Sequence, residues 1–292
     1  MTPEVDSSNR TLAIVADSTC DVPADEQRDL DVSIVPLHVE FRGRSFLDGI
    51  DITTDDILAG VAAGAPLPST SQATPDAFRD AFRRAADAGA AAVLCITISA
   101  ELSGTYASAC QAAEGAPVPV TVFDSRATTV GHGDVVRRAA ELRRQGLPVA
   151  RIVKRLEPVR DSLKPLFAVT SLEFLRKGGR IGRASALLGG LLRLTPILSH
   201  EGAGAAPVAT VRGTAAAVRE IVRHTQAFVK DHTGGLVLTF MHVHNLAGVE
   251  RLEQALRDAG LSFAGGRAYA IGTAVASHVG PGTFGVYMHT EP

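Results

Sequence analysis

Hydroxyl side chains gather at two predicted strand ends in the first half of the chain. Thr70 and Ser71 precede a helix predicted to begin after Thr74, and Ser99 and Ser103 follow an apolar run typical of a buried strand. In open α/β sheets, ligands bind beyond the carboxyl ends of the strands, and the free N–H groups of helix N-termini attract anions. A single such hydroxyl is most simply a helix cap. Two clusters together favour an anion site.

Two later segments could also take part in binding. His278 lies between residues 277 and 282, a stretch rich in glycine and proline, where its imidazole could donate to a carboxylate or phosphate. A lone histidine is more often structural. Arg176, Lys177 and Arg180 surround a glycine pair at a predicted helix end. Such cations complement the helix dipole, and they could equally form a docking surface for an acidic partner.

Metal and disulfide chemistry find little support in the sequence. The three cysteines form no CxxC pair and are odd in number, so we expect neither a zinc knuckle nor a disulfide framework. His242 and His244 fall on one side of a predicted strand, but no third ligand has diagnostic spacing. We therefore predict no metal site.

The elements that must position these residues change in character along the chain. Continuous apolar runs at residues 90–98 and 118–123 are typical of a parallel sheet covered on both faces. Alternating strands and helices predict an α/β domain over residues 1–162, mostly parallel and doubly wound, with a hairpin insertion near 37–52. Hairpins and long helices then predict an α+β domain over residues 163–292, with a mixed or antiparallel sheet.

Composition bounds the functional classes. The 292 residues suit about two domains. The net charge of −2, from 29 basic and 31 acidic residues, lacks the basic footprint of a nucleic-acid binder. The longest apolar stretch is too short to cross a bilayer, and the first nine residues hold no apolar signal core. We expect a cytoplasmic protein without stable membrane insertion.

Seven short motifs occur in order along almost the whole chain. They are Ile14–Thr19, Val35–Leu37, Thr70–Gln72, Ile98-Ser99 with Leu102–Thr105, Phe123–Ser125, Leu175–Ile181 and His278–Gly282. Each motif is weak alone, but the ordered set resembles the DegV family of bacterial fatty-acid-binding proteins. The resemblance implies a two-domain fold with a long-chain fatty acid buried between the domains. It implies no cofactor besides that ligand.

The resemblance also implies which residues bind the ligand. The carboxylate would be held by Thr70, Ser71, Ser99, Ser103, Gly104 and His278. Family members often have a second serine where this chain has Ala100, which leaves Ser99 and Ser103 unranked. The acyl tail would lie in the second domain, along an aliphatic segment. Its expected contacts are Ile181, Leu187, Leu188, Leu191, Leu194 and Ile197.

Two functional interpretations remain open. Some family members present the fatty acid to a separate kinase subunit, which forms an acyl phosphate for phospholipid synthesis. The chain would then be a non-catalytic lipid-binding subunit, with Arg176, Lys177 and Arg180 as the docking element. The alternative is a serine-dependent acyl hydrolase or transferase, with Ser99 or Ser103 as the nucleophile and His278 as the base. The absence of a GxSxG nucleophile elbow counts against it.

Overall fold

The computed structural model describes residues 12–189 and 194–291. In the first half of the chain, which ends at Ser162, strands alternate with helices. The strands are β1 (Leu12–Asp17), β2 (Val32–Val35), β3 (His38–Phe41), β4 (Arg44–Leu47), β5 (Ser69–Ser71), β6 (Ala92–Thr97) and β7 (Val120–Asp124). The helices are α1 (Ala24–Leu30), α2 (Thr54–Ala62), α3 (Pro75–Asp87), α4 (Thr105–Ala113), α5 (Thr129–Arg144) and α6 (Val149–Ser162). A 3-10 helix, Ser18–Cys20, follows β1.

Four strands of this half form a parallel sheet in the order β2-β1-β6-β7. Both faces of the sheet are buried. Ile14 and Ala16 pack with apolar side chains of α5 and α6, whereas Val15, which points to the other face, packs with α3 and α4. Successive residues of a strand point to opposite faces, so a sheet covered on both sides needs a continuous apolar run. The doubly wound arrangement predicted from those runs is confirmed.

A small antiparallel sheet, in the order β4-β3-β5, lies beside the parallel one. β3 and β4 form a hairpin that turns at Arg42 and Gly43, both with positive φ. β5 pairs with the other edge of β3 and sets Thr70 opposite Val39. The sequence did not predict β5 as a strand. Its three residues are too short for a recognisable alternation, and the pairing with β3 forms it.

The second half of the chain, from Lys164, contains a six-stranded mixed sheet in the order β10-β9-β8-β13-β11-β12. Its strands are β8 (Lys164–Ala168), β9 (Thr195–Glu201), β10 (Gly204–Val211), β11 (Gly235–His242), β12 (Ala264–Ala270) and β13 (Phe284–Glu291). Its helices are α7 (Glu173–Lys177), α8 (Gly213–Asp231), α9 (Leu246–Asp258) and α10 (Thr273–Val279), with a 3-10 helix at Gly182–Leu187. β11 and β12 are parallel, and the other neighbours are antiparallel. The predicted mixed sheet is confirmed.

The two faces of this sheet have different coverings. Val286 and Met288 of β13 pack in the core beneath α8 and α9, whereas Tyr287 between them packs in a second core that includes residues from the first half. The outer face is thus closed by helices, and the inner face meets the first half of the chain. The predicted boundary falls at the end of α6, and the division into two domains there stays a prediction.

Helix α10 belongs to the second half in sequence but docks on the first half. The backbone N–H of Ala274 donates to Asp48 Oδ1 at 3.0 Å, and the Thr273 hydroxyl lies 3.4 Å from the Ile52 carbonyl oxygen. His278, predicted to lie in a glycine and proline loop, instead occupies the last turn of this helix. The helix therefore carries that imidazole to the junction between the two sheets.

Across the described ranges, 12–189 and 194–291, no helix is both long and apolar enough to span a membrane.

Candidate ligand site between the two sheets

A cavity of about 360 Å³ lies where the carboxyl ends of the parallel strands meet the inner face of the mixed sheet. Thr19, Leu37 and Ile98, each just beyond the end of a parallel strand, line one side. Phe167 and Met241 of the mixed sheet line the other. The exposed surface of the cavity is largely apolar, and the polar side chains among its lining residues are gathered in small clusters. A largely apolar cavity with a few convergent polar groups is typical of a small-molecule site.

One polar cluster pairs a hydroxyl with an imidazole from opposite halves of the chain. Thr70 Oγ1 lies 2.7 Å from His278 Nε2, although the two residues are 208 positions apart in sequence. Burial first, and then the positive charge of Arg180, lower the pKa of His278 to about 4. The imidazole is therefore neutral at pH 7. Both side chains line the cavity, and their part in binding a carboxylate stays a prediction.

The His278 ring is held by close contact with a glycine. A Cβ atom added to Gly178 would lie only 2.0 Å from His278 Nδ1. That nitrogen is buried and has no hydrogen-bond partner. Gly178 ends α7, so only a residue without a side chain allows α7 to pack this closely against the imidazole. The glycine pair that the sequence marked as a helix end also positions the ring.

Ser103 and Gly104 form the neighbouring wall of the cavity. Ser103 Oγ lies 2.9 Å from Thr105 Oγ1 and accepts a hydrogen bond from the Thr105 N–H. A Cβ atom on Gly104 would lie 2.0 Å from the Gln72 side-chain oxygen, so this glycine admits the glutamine. Ser71 and Gln72 also line the cavity and are exposed. This end of the cavity therefore lies near solvent.

Arg180 faces the cavity rather than open solvent. Its guanidinium donates to the Leu102 carbonyl oxygen from Nε and Nη2, both at 3.2 Å, and to the Gly178 carbonyl oxygen at 2.7 Å. No described carboxylate lies within ion-pair distance of it. It is also the sole arginine or lysine among the described lining residues. Arg180 therefore lies at the cavity wall, whereas Arg176 and Lys177 are exposed, and the docking role of the three residues stays a prediction.

Ser99 does not reach the cavity. It is 1% exposed, its Oγ accepts from the Glu101 N–H at 3.3 Å, and its carbonyl oxygen accepts from the N–H groups of Leu102 and Ser103. Ser99 thus shapes the turn after β6. Of the two serines that the sequence left unranked, the structure brings only Ser103 to the wall.

The predicted tail contacts do not line this cavity in the described structure. Ile197 is fully buried in the core beneath α8, on the face of the mixed sheet opposite the cavity, and its contact with an acyl tail stays a prediction. Ile181 and Leu187 pack at the edge of the inner core, Leu194 is partly buried, and Leu188 is 45% exposed. Leu191 lies outside the described residues. Composition marked the aliphatic segment but not the face to which each side chain points.

Sequence reasoning missed a buried polar network beneath the cavity. The Thr19 hydroxyl donates to Asp17 Oδ1 at 2.6 Å and lies 3.3 Å from His132 Nδ1. Asp17 Oδ2 accepts from the Ile98 N–H at 2.7 Å. Burial lowers the pKa of His132, which keeps this imidazole neutral. The network joins the ends of β1 and β6. The Asp17-Ser18-Thr19 run after an apolar strand was its only sequence signal.

The described part of the chain contains no group of three or more His, Cys, Asp or Glu side chains placed to hold a metal ion.

Comparison with known proteins places the chain in a family. A family model described as DegV, an uncharacterised protein family, matches residues 11–291. The chain belongs to the DegV family. A DegV domain-containing protein of Deinococcus radiodurans is 40% identical over 278 residues, which cover 95% of this chain and 98% of that protein. The suspected resemblance is confirmed.

Solved DegV structures share the fold. A Thermus thermophilus DegV protein, described for its fatty acid binding, superposes with a TM-score of 0.91 and 36% identity, covering 96% of this chain and all of that one (100%). A Thermotoga maritima protein whose structure revealed a fatty acid binding function has a TM-score of 0.84 and 28% identity, with coverage of 96% and 99%. Structural neighbours of this DegV chain thus bind fatty acids.

Proposed function

We propose that this DegV protein binds a long-chain fatty acid in the cavity, with the carboxylate at the end formed by Thr70, Ser103 and Arg180. The Thr70–His278 pair beside the Arg180 guanidinium carries the proposal, since it sets hydrogen-bond donors and one positive charge at the end of an apolar cavity. The fatty acid binding of the DegV neighbours supports the same ligand class.

The tautomer of His278 decides which group donates a hydrogen bond to the carboxylate. We assign the ring proton to Nε2, where Thr70 Oγ1 accepts it, because a proton on Nδ1 would be a buried donor without an acceptor. Thr70 then keeps its own hydroxyl proton and donates it to a carboxylate oxygen. The imidazole acts through Thr70 and is therefore a positioning residue.

Arg180 supplies the charge that a buried carboxylate needs. An ionised carboxylate moved out of water must be paired or it becomes protonated. Because no described carboxylate neutralises Arg180, its field is available to a bound anion. Charge-assisted hydrogen bonds are about twice as strong as neutral ones. The acyl tail adds about 0.8 kcal/mol per buried methylene, or on the order of 11 kcal/mol for roughly fourteen, before the cost of association.

The hydrolase alternative lacks its catalytic pair. Neither Ser99 nor Ser103 is hydrogen-bonded to His278 in the described structure, and the hydroxyl partner of His278 is Thr70. His278 Nδ1 has no hydrogen-bonding group, such as the carboxylate of a catalytic triad. A pKa of about 4 also makes this imidazole a weak general base near neutral pH. The geometry favours a binding protein.

Presentation of the carboxylate to a kinase subunit is the finer part of the proposal. The carboxylate end lies beside exposed Ser71 and Gln72, so the acid group is close to solvent while the tail is enclosed. Arg176 and Lys177 are exposed on α7, which ends at the glycine that contacts His278. They are suited to contact an acidic partner that must reach the carboxylate.

The test begins with the ligand itself. Protein purified from a bacterial host is expected to release a long-chain fatty acid, identified by native mass spectrometry and by extraction. We expect Thr70→Ala to weaken oleate binding roughly ten- to a hundredfold, because a hydrogen bond to a charged group is lost. Thr210→Ala, an exposed threonine of β10, is the matched control. Protein that is repeatedly empty and refuses added oleate would refute the proposal.

A further inference from the structure

The cavity holds a second set of polar side chains, which we term the inner cluster: Thr128, His200 and Tyr287. Thr128 Oγ1 and His200 Nε2 are buried and have no hydrogen-bond partner. Tyr287 links the two residues. Its hydroxyl accepts from the Thr128 N–H at 3.3 Å, and its ring centroid lies 6.4 Å from that of His200. Two polar atoms without a hydrogen-bond partner therefore belong to residues that neighbour one tyrosine.

The inner cluster lies away from the carboxylate end. Thr283 is bonded to the carbonyl oxygens of Val279 and Gly280, beside His278 at the end of α10. β13 starts at the next residue and reaches Tyr287 three positions later. At about 3.3 Å per residue, these three steps place the tyrosine roughly 10 Å along the strand. A fatty acid anchored at Thr70 would pass the inner cluster part-way along its tail.

An unsubstituted alkyl chain suits this position poorly. It would leave Thr128 Oγ1 and His200 Nε2 buried without a hydrogen-bond partner, and unpaired buried polar groups are costly. Burial lowers the pKa of His200, so its ring is neutral and Nε2 is either a donor or an acceptor. A hydroxyl both donates and accepts. A hydroxyl group is therefore a chemically suitable partner for the threonine and for either tautomer of the histidine.

Other hydroxyl groups that line the cavity already have hydrogen-bond partners. Thr129 Oγ1 donates to Met241 Sδ, Thr19 is bonded to Asp17, and Thr283 is bonded to backbone carbonyls. The missing partners are thus concentrated at the inner cluster and at His278 Nδ1, which the Gly178 contact accounts for. We propose that the cavity accepts fatty acids with a hydroxyl group part-way along the chain, and that Thr128 and His200 bind this hydroxyl. The proposal rests on the proposed function, because the carboxylate must be anchored at Thr70.

The experiment compares stearic acid with a positional series of monohydroxylated stearic acids. Dissociation constants are measured by displacement of a fluorescent fatty acid. At one hydroxyl position we expect binding about tenfold tighter than that of stearic acid. In the double variant Thr128→Val, His200→Leu, that gain is expected to vanish while stearic acid still binds. Ser199→Ala, a neighbouring change on the opposite face of β9, is the control and is expected to keep the gain.

The outcomes separate this inference from the proposed function. If stearic acid binds but every hydroxylated acid binds equally well or more weakly, the inner cluster merely holds water and the inference is overturned alone. A gain that survives the double variant also overturns it, because another group then reads the hydroxyl. If no acid binds the wild-type protein, the proposed function fails and the inference falls with it.

Discussion

Replacing His278 with glutamine tests how the imidazole is held at the cavity. In the folded protein, burial and the nearby Arg180 charge lower the pKa of His278 to about 4, whereas an unfolded histidine titrates near 6.5. Between these values the unfolded chain binds a proton that the folded chain does not. The stability contributed by the neutral ring is therefore complete above about pH 6.5 and is lost as the pH falls towards 4.

The size of the effect follows from the two pKa values. Their difference corresponds to on the order of 3 kcal/mol of unfolding free energy below pH 4, and about 2 kcal/mol at pH 5. Glutamine does not titrate, and its amide can replace the Nε2–H donor to Thr70. Between about pH 7.5 and pH 5, the wild-type protein should therefore lose about 2 kcal/mol relative to His278→Gln.

The assay is urea unfolding followed by far-ultraviolet circular dichroism, since the chain has no tryptophan. Ser277→Ala is the control: it removes a 2.8 Å bond to the Thr273 carbonyl oxygen in the same helix but leaves His278 in place. This control should lower stability by a constant amount across the pH range. A constant difference between wild type and His278→Gln would refute the account of a buried neutral imidazole.

Two further changes probe the surroundings of the site. Gly178→Ala should push the His278 ring away from Thr70 and weaken fatty acid binding about tenfold. The control is Gly115→Ala, where an added Cβ atom meets open space and binding should not change. Equal binding by the two variants would contradict the close packing of Gly178 against His278. The proposed docking of a fatty acid kinase subunit is tested by reversing two charges, with Arg176 and Lys177 both changed to glutamate. The double variant should slow acyl phosphate formation by such a subunit about tenfold, because interfacial charge complementarity is lost, and should leave lipid binding unchanged. An unaltered rate rejects the docking proposal.

Much of the architecture was accessible from local patterns. The continuous apolar runs predicted a parallel sheet with two covered faces because every residue of such a strand is buried. The start of α3 after Thr74 was also readable, since a cap depends on neighbours in sequence. The short elements were not. β5 and α10 form through contacts with distant strands and with Asp48.

The direction of individual side chains was harder to predict. Ile197 and Leu198 are adjacent in one aliphatic run, but Ile197 packs outwards beneath α8 and Leu198 packs in the inner core. A one-residue difference reverses the face of a strand, and composition does not record it. Arg180 is similar. The backbone bond from the Ala205 N–H to its carbonyl oxygen holds the segment beside β10, with the guanidinium towards Leu102.

The sequence by itself determined the fold class, and it identified the two hydroxyl clusters and His278 as candidate binding residues. Only the tertiary structure decided that Thr70 meets that histidine, that Ser103 rather than Ser99 lines the cavity, and that Arg180 lies at its wall. The physical reason is how far apart in the sequence the interacting residues lie. Helix caps and strand patterns depend on neighbours in sequence, whereas a cavity between two sheets exists only after residues 208 positions apart have packed together.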